Sequence, residues 1–193
     1  MAPHINHSEV IAQGRFLSFC KVTFTDARGC QRSWEAVNRR NGSDSGSNAV
    51  FIVAKIVPEN EIVLVRQFRP PAGRMMLEFP AGLIDPGETA ETTAVRELYE
   101  ETGFTGEVKF CTAGSFSSPG MTGESIVLAA MEIDGSKYPD RLIPPNHQEE
   151  CENIEVFRVK SDQLKNFVAE QEAAGCGIDS KIHTVLAFRE MGL

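Results

Sequence analysis

The feature that most constrains this chain is a predicted helix at residues 88–102 that has two different faces. Gly103 follows it, and a glycine at that place typically ends a helix in the left-handed conformation. At about 100° per residue, one arc of the helix is apolar and the neighbouring arc is acidic. The apolar arc contains Ala94, Val95 and Leu98, and the acidic arc contains Glu97, Glu100 and Glu101. The helix must therefore be covered on one side while it crowds carboxylates on another.

These three carboxylates have two interpretations. Like charges three or four residues apart destabilise an isolated helix by roughly 0.2–0.5 kcal/mol per pair, so the crowding favours a bound cation. Ligands that are all oxygen favour a hard ion such as Mg²⁺ or Mn²⁺. Alternatively, the carboxylates form a solvated face on which Arg96 and Glu100 are an ordinary i,i+4 pair. The helix alone does not decide between the two.

The spacing around the helix matches a known motif. The constrained positions are Gly82, Glu88, Arg96, Glu97, Leu98, Glu100, Glu101, Gly103 and Phe104. They resemble the Nudix box, which reads glycine, five residues, glutamate, seven residues and then REUxEExGU, where U is a bulky apolar residue. The resemblance implies a metal-dependent pyrophosphohydrolase. It also implies an α/β fold, the Nudix α/β/α sandwich with a mixed central sheet.

The same resemblance implies a role for each polar residue of the box. The metal ligands would be the backbone carbonyl of Ala81 and the carboxylates of Glu97 and Glu101, and Glu100 would bind metal directly or through water. Arg96 would orient a carboxylate, and Glu88 would brace the loop onto the helix. Two to three ions, Mg²⁺ with Mn²⁺ as a substitute, would polarise the pyrophosphate and activate water.

Residues outside the box narrow the substrate. Residues 65–88, VRQFRPPAGRMMLEFPAGLIDPGE, and residues 14–39 resemble ADP-ribose pyrophosphatases, and Pro119 lies 16 residues after Gly103 as in that subfamily. This implies hydrolysis of ADP-ribose to AMP and ribose 5-phosphate. A broader hydrolase of nucleoside diphosphate sugars such as GDP-mannose or ADP-glucose stays open. A non-catalytic nucleotide sensor is disfavoured by the intact set of carboxylates.

The resemblance also suggests which residues contact the substrate. Trp34 would stack on the adenine, and Phe16 stands where relatives of the human type carry a second stacking tryptophan. Ordinary packing within a hairpin is the alternative for both rings. Arg69 would neutralise the pyrophosphate as a bidentate donor. Glu35 and Arg39 would contact the base or the phosphates, and Leu83 would contribute a contact through its backbone. Glu124 is a secondary candidate near the active site.

An acidic segment, QEECENIEV, follows the prolines at positions 144 and 145. Such a segment is usually only solvated. In the resembling enzymes, however, a loop glutamate at this place completes the metal site or acts as general base. Alignment on the following IEV selects Glu152, while Glu149 and Glu150 stay open as alternatives.

The chain before residue 49 is predicted to be an arm. Residues 17–26 and 31–39 are strand-like on either side of a turn, which predicts an antiparallel β-hairpin. The flexible sequence at 42–48, GSDSGSN, then separates an arm at 1–48 from a catalytic domain at 49–193. A hairpin cannot form its own core, and arm exchange is a low-cost route to a dimer. The resemblance implies a homodimer in which Trp34 of one chain completes the base site of the other.

The remaining elements fit a sheet covered on both faces. We predict strands at 49–57 and 61–68, a loop at 69–82, strands near 107–116, 124–133 and 154–159, and helices at 161–174 and 179–191. The net charge of −8 disfavours binding to nucleic-acid backbone. No apolar stretch is long enough to span a membrane, and no secretory signal is readable, so we expect a cytoplasmic protein.

Overall fold

The computed structural model describes residues 1–39, 47–148 and 152–192. The chain divides into two compact units, which we name the arm unit and the core unit. The arm unit comprises residues 1–48, 85–87 and 114–126, and the core unit comprises residues 49–84, 88–113 and 127–193. The predicted domain boundary between residues 48 and 49 stays a prediction.

The arm unit contains a three-stranded antiparallel sheet. Its strands are β1 (His4–Gln13), β2 (Leu17–Thr25) and β3 (Gln31–Arg39), in the order β1-β2-β3. The predicted hairpin is confirmed, because β2 and β3 pair along their whole length around a turn where Gly29 has a φ of 82°. Strand β1 was not predicted. Its segment, HINHSEVIAQ, is mostly polar, and every residue of it is exposed.

The core unit contains a mixed sheet and three helices. The further elements of the chain are β4 (Ala49–Val57), β5 (Glu61–Arg69), β6 (Arg74–Glu78), β7 (Ala81–Leu83), α1 (Ala90–Thr102), β8 (Glu107–Cys111), β9 (Ser115–Phe116), β10 (Ser125–Asp134), β11 (Glu155–Lys160), α2 (Leu164–Ala173), β12 (Gly177–Ile178) and α3 (Ser180–Glu190). Of these, β9 and the first two residues of β10 belong to the arm unit. The strands follow the path β12-β6-β5-β4-β10-β8, with β11 added on β5 and β7 on β4. β12 is parallel to β6, whereas β5 pairs antiparallel with β4, β6 and β11.

Two apolar clusters cover opposite faces of this sheet. Alternate side chains of β4 point to opposite faces, as in any strand. Val50 and Ile52 pack with Ala94 and Leu98 of α1, whereas the intervening Phe51 packs with the cluster of α2 and α3. The predicted α/β/α layering is confirmed.

Three details of the predicted elements were wrong. The expected loop at 69–82 contains the end of β5, a 3₁₀ turn at Pro70–Ala72, β6 and most of β7. A short segment of Met, Leu and Glu has a weak intrinsic preference for β-strand, so it becomes a strand only through pairing with its neighbours in the sheet. The expected strand near 107–116 is interrupted and forms β8 and β9, and residues 161–163 form a 3₁₀ turn before α2.

Helix α1 ends at Thr102 as predicted, but it begins at Ala90 and not at residue 88. The side chain of Thr89 accepts a hydrogen bond from the backbone N–H of Thr92, and Gly103 caps the other end with a φ of 71°. The assignment of Val95 to the apolar arc was wrong, since this side chain is 44% exposed. The buried stripe instead runs along Ala94, Leu98 and Glu101, so a carboxylate lies in line with the apolar core contacts.

None of the helices within the described residues combines the length and the apolar character that a membrane crossing requires. The cytoplasmic location stays a prediction.

Candidate active site

Strand β7 and helix α1 bring two parts of the box together in the core unit. The Glu97 side chain lies directly against the α-carbon of Gly82, and a Cβ atom at position 82 would overlap its carboxyl group. Only glycine fits there while Glu97 keeps this position. The requirement for glycine at the start of the box is therefore steric, because the backbone of β7 must approach the helix closely.

Glu101 is the most deeply buried carboxylate of the helix. It is 3% exposed, and its Oε2 accepts a hydrogen bond of 3.1 Å from the backbone N–H of Ala81. Burial raises the pKa of Glu101 to about 8, which the Ala81 N–H opposes and the charges of Glu97 and Glu152 increase. Without a nearby cation, Glu101 therefore holds a proton at neutral pH.

Glu97 and Glu152 belong to the same electrostatic group. Burial raises the pKa of Glu97, Arg96 lowers it, and the charges of Glu100 and Glu152 raise it further. Glu152 therefore acts on both the half-buried Glu97 and the buried Glu101. The alternatives Glu149 and Glu150 lie outside the described residues, so the choice of Glu152 stays a prediction.

Arg96 connects the polar residues of the box. Its Nε and Nη2 donate to the two carboxylate oxygens of Glu88 at 3.1 and 2.9 Å. Its Nη1 donates to Glu97 at 2.8 Å and to Glu100 at 3.0 Å, and Nη2 also donates to the carbonyl of Leu83 at 3.2 Å. These acceptors, Glu88 first, raise the pKa of Arg96 above its usual range. The guanidinium thus fixes the loop before the helix and orients two of the predicted ligands.

The chemistry of these donors fits a hard divalent cation. Among the residues that the structure describes, no three His, Cys, Asp or Glu side chains are gathered closely enough to enclose a metal ion. Two of these side chains, Glu97 and Glu100, instead accept hydrogen bonds from Arg96. The donors are nevertheless oxygens, and a bound cation would offset the repulsion that Glu101 experiences from Glu97 and Glu152.

Arg69 acts on the Glu101 carboxylate and also has an ion-pair partner, Glu78, that was not predicted. Its Nε donates to the two oxygens of Glu78 at 2.9 and 3.2 Å. Burial raises the pKa of Glu78 and Arg69 lowers it, while Arg69 also lowers the pKa of Glu101. Glu78 escaped notice because its segment was predicted to be a loop. Arg69 and Glu78 are not opposite each other in the register, since Arg69 pairs with Arg74 and Glu78 with Val65, so spacing along the chain provided no signal for their contact.

The arm unit holds the predicted base-binding residues. The indole N–H of Trp34 donates to the carbonyl of Gly120 at 2.9 Å, yet the side chain is 54% exposed. Phe16 is 65% exposed, and the Arg15 guanidinium lies 4.9 Å from its ring centroid. Trp34 borders a groove of about 520 Å³ whose lining includes Ile5, Val22, Phe24, Ala36 and Met121.

Two further predicted residues meet in the arm unit, since the Arg39 Nε donates to a carboxylate oxygen of Glu124. Glu35 is exposed on β3. The predicted residues thus fall into two groups. The arm unit holds Phe16, Trp34, Glu35, Arg39 and Glu124, and the core unit holds Arg69, Ala81, Leu83, Arg96, Glu97, Glu100, Glu101 and Glu152. That the two groups form one site stays a prediction.

The chain is similar to known proteins in both sequence and fold. The NUDIX domain family matches residues 47–174. The chain is 31% identical over 183 residues to an ADP-ribose pyrophosphatase of Saccharomyces cerevisiae, covering 93% of this chain and 79% of that protein. It is 32% identical over 183 residues to an ADP-sugar pyrophosphatase of Mus musculus, covering 93% and 84%. A solved ADP compounds hydrolase has a similar fold, with a TM-score of 0.64 and 22% identity over 88% of this chain and 84% of that one.

Proposed function

Because the chain belongs to the Nudix hydrolase family, we propose that it hydrolyses the pyrophosphate of ADP-ribose to AMP and ribose 5-phosphate. The observation that carries the proposal is the burial of Glu101 beside Glu97 and Glu152, at the end of a box with every constrained residue in place. The substrate class is supported by relatives of similar length that are named for ADP-ribose and ADP-sugar hydrolysis. Neither broader specificity nor a sensor role is favoured by these relatives.

The proposed cofactor is Mg²⁺, for which Mn²⁺ can substitute, with two to three ions in the site. The residues that would hold the ions are the Ala81 carbonyl and the carboxylates of Glu97, Glu100, Glu101 and Glu152. When bound, such ions polarise phosphoryl oxygens and lower the pKa of a coordinated water. This set supplies the hard oxygen donors that these cations prefer.

The chain's own residues then orient the carboxylates, neutralise the charge of the pyrophosphate and accept a proton. The Ala81 N–H holds Glu101 in place, and Arg96 limits the movement of the carboxylates beside it. Arg69 would donate to the substrate pyrophosphate, which requires it to share or leave its contact with Glu78. Glu152 would accept the proton of the attacking water as general base.

The arm unit is proposed to bind the base. Trp34 and Phe16 expose large aromatic faces, and aromatic side chains stack on nucleobases with little dependence on hydrogen-bond pattern. Glu35 and Arg39 would contact the base or the phosphates. Glu124 would hold Arg39 in position, because the two side chains already form an ion pair.

We also propose a homodimer formed through the arm. On β2 the small side chains of Ser18 and Cys20 are buried, whereas the larger Leu17 and Phe19 are exposed. Ile11 on the neighbouring β1 borders Phe19 and is exposed as well. A face that turns its larger apolar side chains outward is typical of a contact surface. A second copy of the arm would cover it, with Trp34 of one chain completing the base site of the other.

Product identification tests the proposed reaction. The purified chain is incubated with ADP-ribose, ADP-glucose and GDP-mannose, with Mg²⁺ or with EDTA, and the products are separated by ion-pair chromatography. We expect AMP and ribose 5-phosphate from ADP-ribose, Mg²⁺ dependence, and a lower kcat/KM for the other two compounds. A higher kcat/KM for GDP-mannose would overturn the substrate assignment, and nucleotide binding without hydrolysis would overturn the enzyme assignment.

A further inference from the structure

Residues 144–148 lie at the carboxyl end of α1 in the core unit. The backbone N–H of His147 donates to the carbonyl of Glu100 at 2.7 Å. The imidazole of His147 stacks on the Tyr99 ring, with a distance of 4.5 Å between the centroids and an angle of 20° between the planes. The last carbonyls of a helix have no partner within the helix. This segment supplies one, and it is thereby fastened to the helix that carries the carboxylates.

Gly103 makes this close contact feasible. Its φ of 71° favours glycine, and a Cβ atom there would also overlap the carbonyl oxygen of Pro145 and approach the ring of Pro144. The glycine near the end of the box therefore has a second function besides capping the helix. It leaves space for the segment that leads to Glu152.

The chain after Glu152 is fastened to the same segment. The backbone N–H of Ile154 donates to the Gln148 side-chain oxygen at 2.7 Å. The Asn146 side-chain amide donates to the Ile154 carbonyl at 3.3 Å, and Ile154 itself is buried. Glu152 stands two residues before this anchor. The backbone next to Glu152 is therefore held both by residues 146–148 and by the pairing of β11 with β5, which begins at Glu155.

The start of the segment has an internal anchor. Arg158 and Glu61 form a fully buried ion pair at 2.7 Å. The Arg158 guanidinium also donates to the carbonyls of Tyr138 and Leu142 at 3.1 and 3.0 Å. Breaking a buried pair of this kind is strongly destabilising, so the stretch before residue 143 is fixed to the sheet. Between this anchor and Ile154, His147 contacts α1 through Glu100 and Tyr99.

We propose that His147 and Gln148 are positioning residues that fix the carboxylate of Glu152 relative to Glu97 and Glu101. The proposal rests on the general-base role of Glu152 given above. His147 acts through the stack on Tyr99, and Gln148 acts through the backbone of Ile154. Neither residue needs to touch the substrate, and neither belongs to the box.

The test uses single variants of the full-length chain with saturating Mg²⁺. We expect His147→Ala and Gln148→Ala each to lower kcat by about 10-fold or more while KM for ADP-ribose changes little, since a small displacement of a reacting group is costly. His147→Phe retains a stacking ring and should restore most of kcat. Phe188→Ala removes an exposed aromatic side chain from α3 and serves as the matched control with unchanged kcat.

A double-mutant cycle separates this proposal from the role of Glu152 itself. If Glu152→Gln keeps full kcat, the general-base assignment fails, whatever the positioning variants do. If Glu152→Gln is impaired, His147→Ala should cause no further loss in that background, because both changes act through one group. An equal loss in both backgrounds, or full kcat in both positioning variants, would overturn the positioning role.

Metal binding gives a readout independent of turnover. Electron paramagnetic resonance titration with Mn²⁺ alone should show weaker binding in His147→Ala and Gln148→Ala, by a factor similar to that in Glu152→Gln. Unchanged Mn²⁺ affinity in both positioning variants, together with a clear loss in Glu152→Gln, would contradict the proposal. Thermal unfolding of each variant identifies any general loss of structure. Because the stack and the Ile154 bond are separate contacts, either variant tests the proposal if the other unfolds.

Discussion

The carboxylates of α1 and the aromatic residues of the arm sheet are held in opposite ways. Arg96 contacts three carboxylates within the core unit, and the Ala81 backbone fixes the buried Glu101. Trp34 and Phe16 instead expose more than half of their surface, and every residue of β1 is exposed. The core unit completes its group from its own residues. The exposed aromatic rings of the arm are available for the contacts that we propose with a ligand or with a second chain.

The carboxylates of α1 and the aromatic residues of the arm also differ in the kind of interaction that fixes their positions. Charge and burial act over short distances along one helix, so local spacing is enough to specify the carboxylates. Stacking surfaces are specified by what lies opposite them, which spacing along one sequence does not give. Substitutions in the core unit should therefore affect turnover within one chain, whereas those in the arm should affect substrate binding and respond to a partner chain.

The largest expected effect is that of Glu101→Gln on turnover. Removal of a preorganised electrostatic group commonly lowers kcat by about 10²–10³, and loss of a proposed metal ligand should cost at least as much. The fold should persist, because glutamine can still accept the hydrogen bond from Ala81. Steady-state kinetics with ADP-ribose in saturating Mg²⁺ measure the change.

Glu91→Gln is the matched control for that change. Glu91 is an exposed carboxylate in the first turn of the same helix, away from the buried stripe. It should leave kcat unchanged. Near-normal turnover of Glu101→Gln would overturn its assignment as a metal ligand. An equal loss in Glu91→Gln would mean that the helix charge as a whole, and not the buried carboxylate, drives the reaction.

A second prediction concerns the stability of the metal-free protein. The pKa of Glu101 is raised from 4.5 to about 8. Below its ordinary pKa the group is protonated in both the folded and the unfolded states. Between these values only the unfolded state ionises, so stability is lost as the pH rises towards 8. Glu101→Gln should therefore stabilise the protein in EDTA at pH 8.5, by up to about 4–5 kcal/mol.

Urea unfolding at pH 5 and pH 8.5 measures this difference. The gain in unfolding free energy from Glu101→Gln should be much smaller at pH 5. Added Mg²⁺ should reverse the order at pH 8.5, because a ligand that binds only the folded state stabilises the wild type more than a variant lacking a ligand group. A gain that is independent of pH would show that burial of the Glu101 charge does not control stability.

Much of the core unit is predictable from sequence because its signals are local. The ends of α1 follow from Gly103 and the residues around 88–90, and β4 and β5 follow from runs of β-branched residues. β1 and β6 were missed because polar or Met-rich strands depend on pairing with distant segments. Glu78 was missed for the same reason. Spacing along a sequence identifies groups on one helix, but not partners on different strands.

The third prediction tests whether the arm acts on binding and across chains. Trp34→Ala should raise KM for ADP-ribose by about 10-fold, since base stacking contributes roughly 1–3 kcal/mol, while kcat stays within a few-fold of the wild type. Gel filtration with light scattering should give a dimer at micromolar concentration for both proteins. A monomer would contradict the shared site directly.

Mixing two variants sharpens this test. In a hybrid dimer of Glu101→Gln and Trp34→Ala chains, one of the two sites would combine an intact Trp34 with an intact Glu101. Activity at low ADP-ribose should then exceed that of the separate variants. Two Glu101→Gln preparations carrying different affinity tags control for exchange. Verified hybrids without restored activity would mean that each arm serves its own chain.

The smallest expected effect is that of Glu124→Gln, whose partner is Arg39. Both side chains are partly exposed, and exposed ion pairs contribute about 0–1 kcal/mol, so unfolding free energy should change little. Glutamine keeps an acceptor for Arg39 but removes the charge that fixes it, so we expect KM to rise about 2–5-fold at constant kcat. Arg39→Ala should raise KM further, because it removes the proposed substrate contact itself. If Glu124→Gln instead lowers kcat as much as Glu101→Gln does, Glu124 takes part in the reaction, and the separation of turnover in the core unit from binding in the arm unit is wrong.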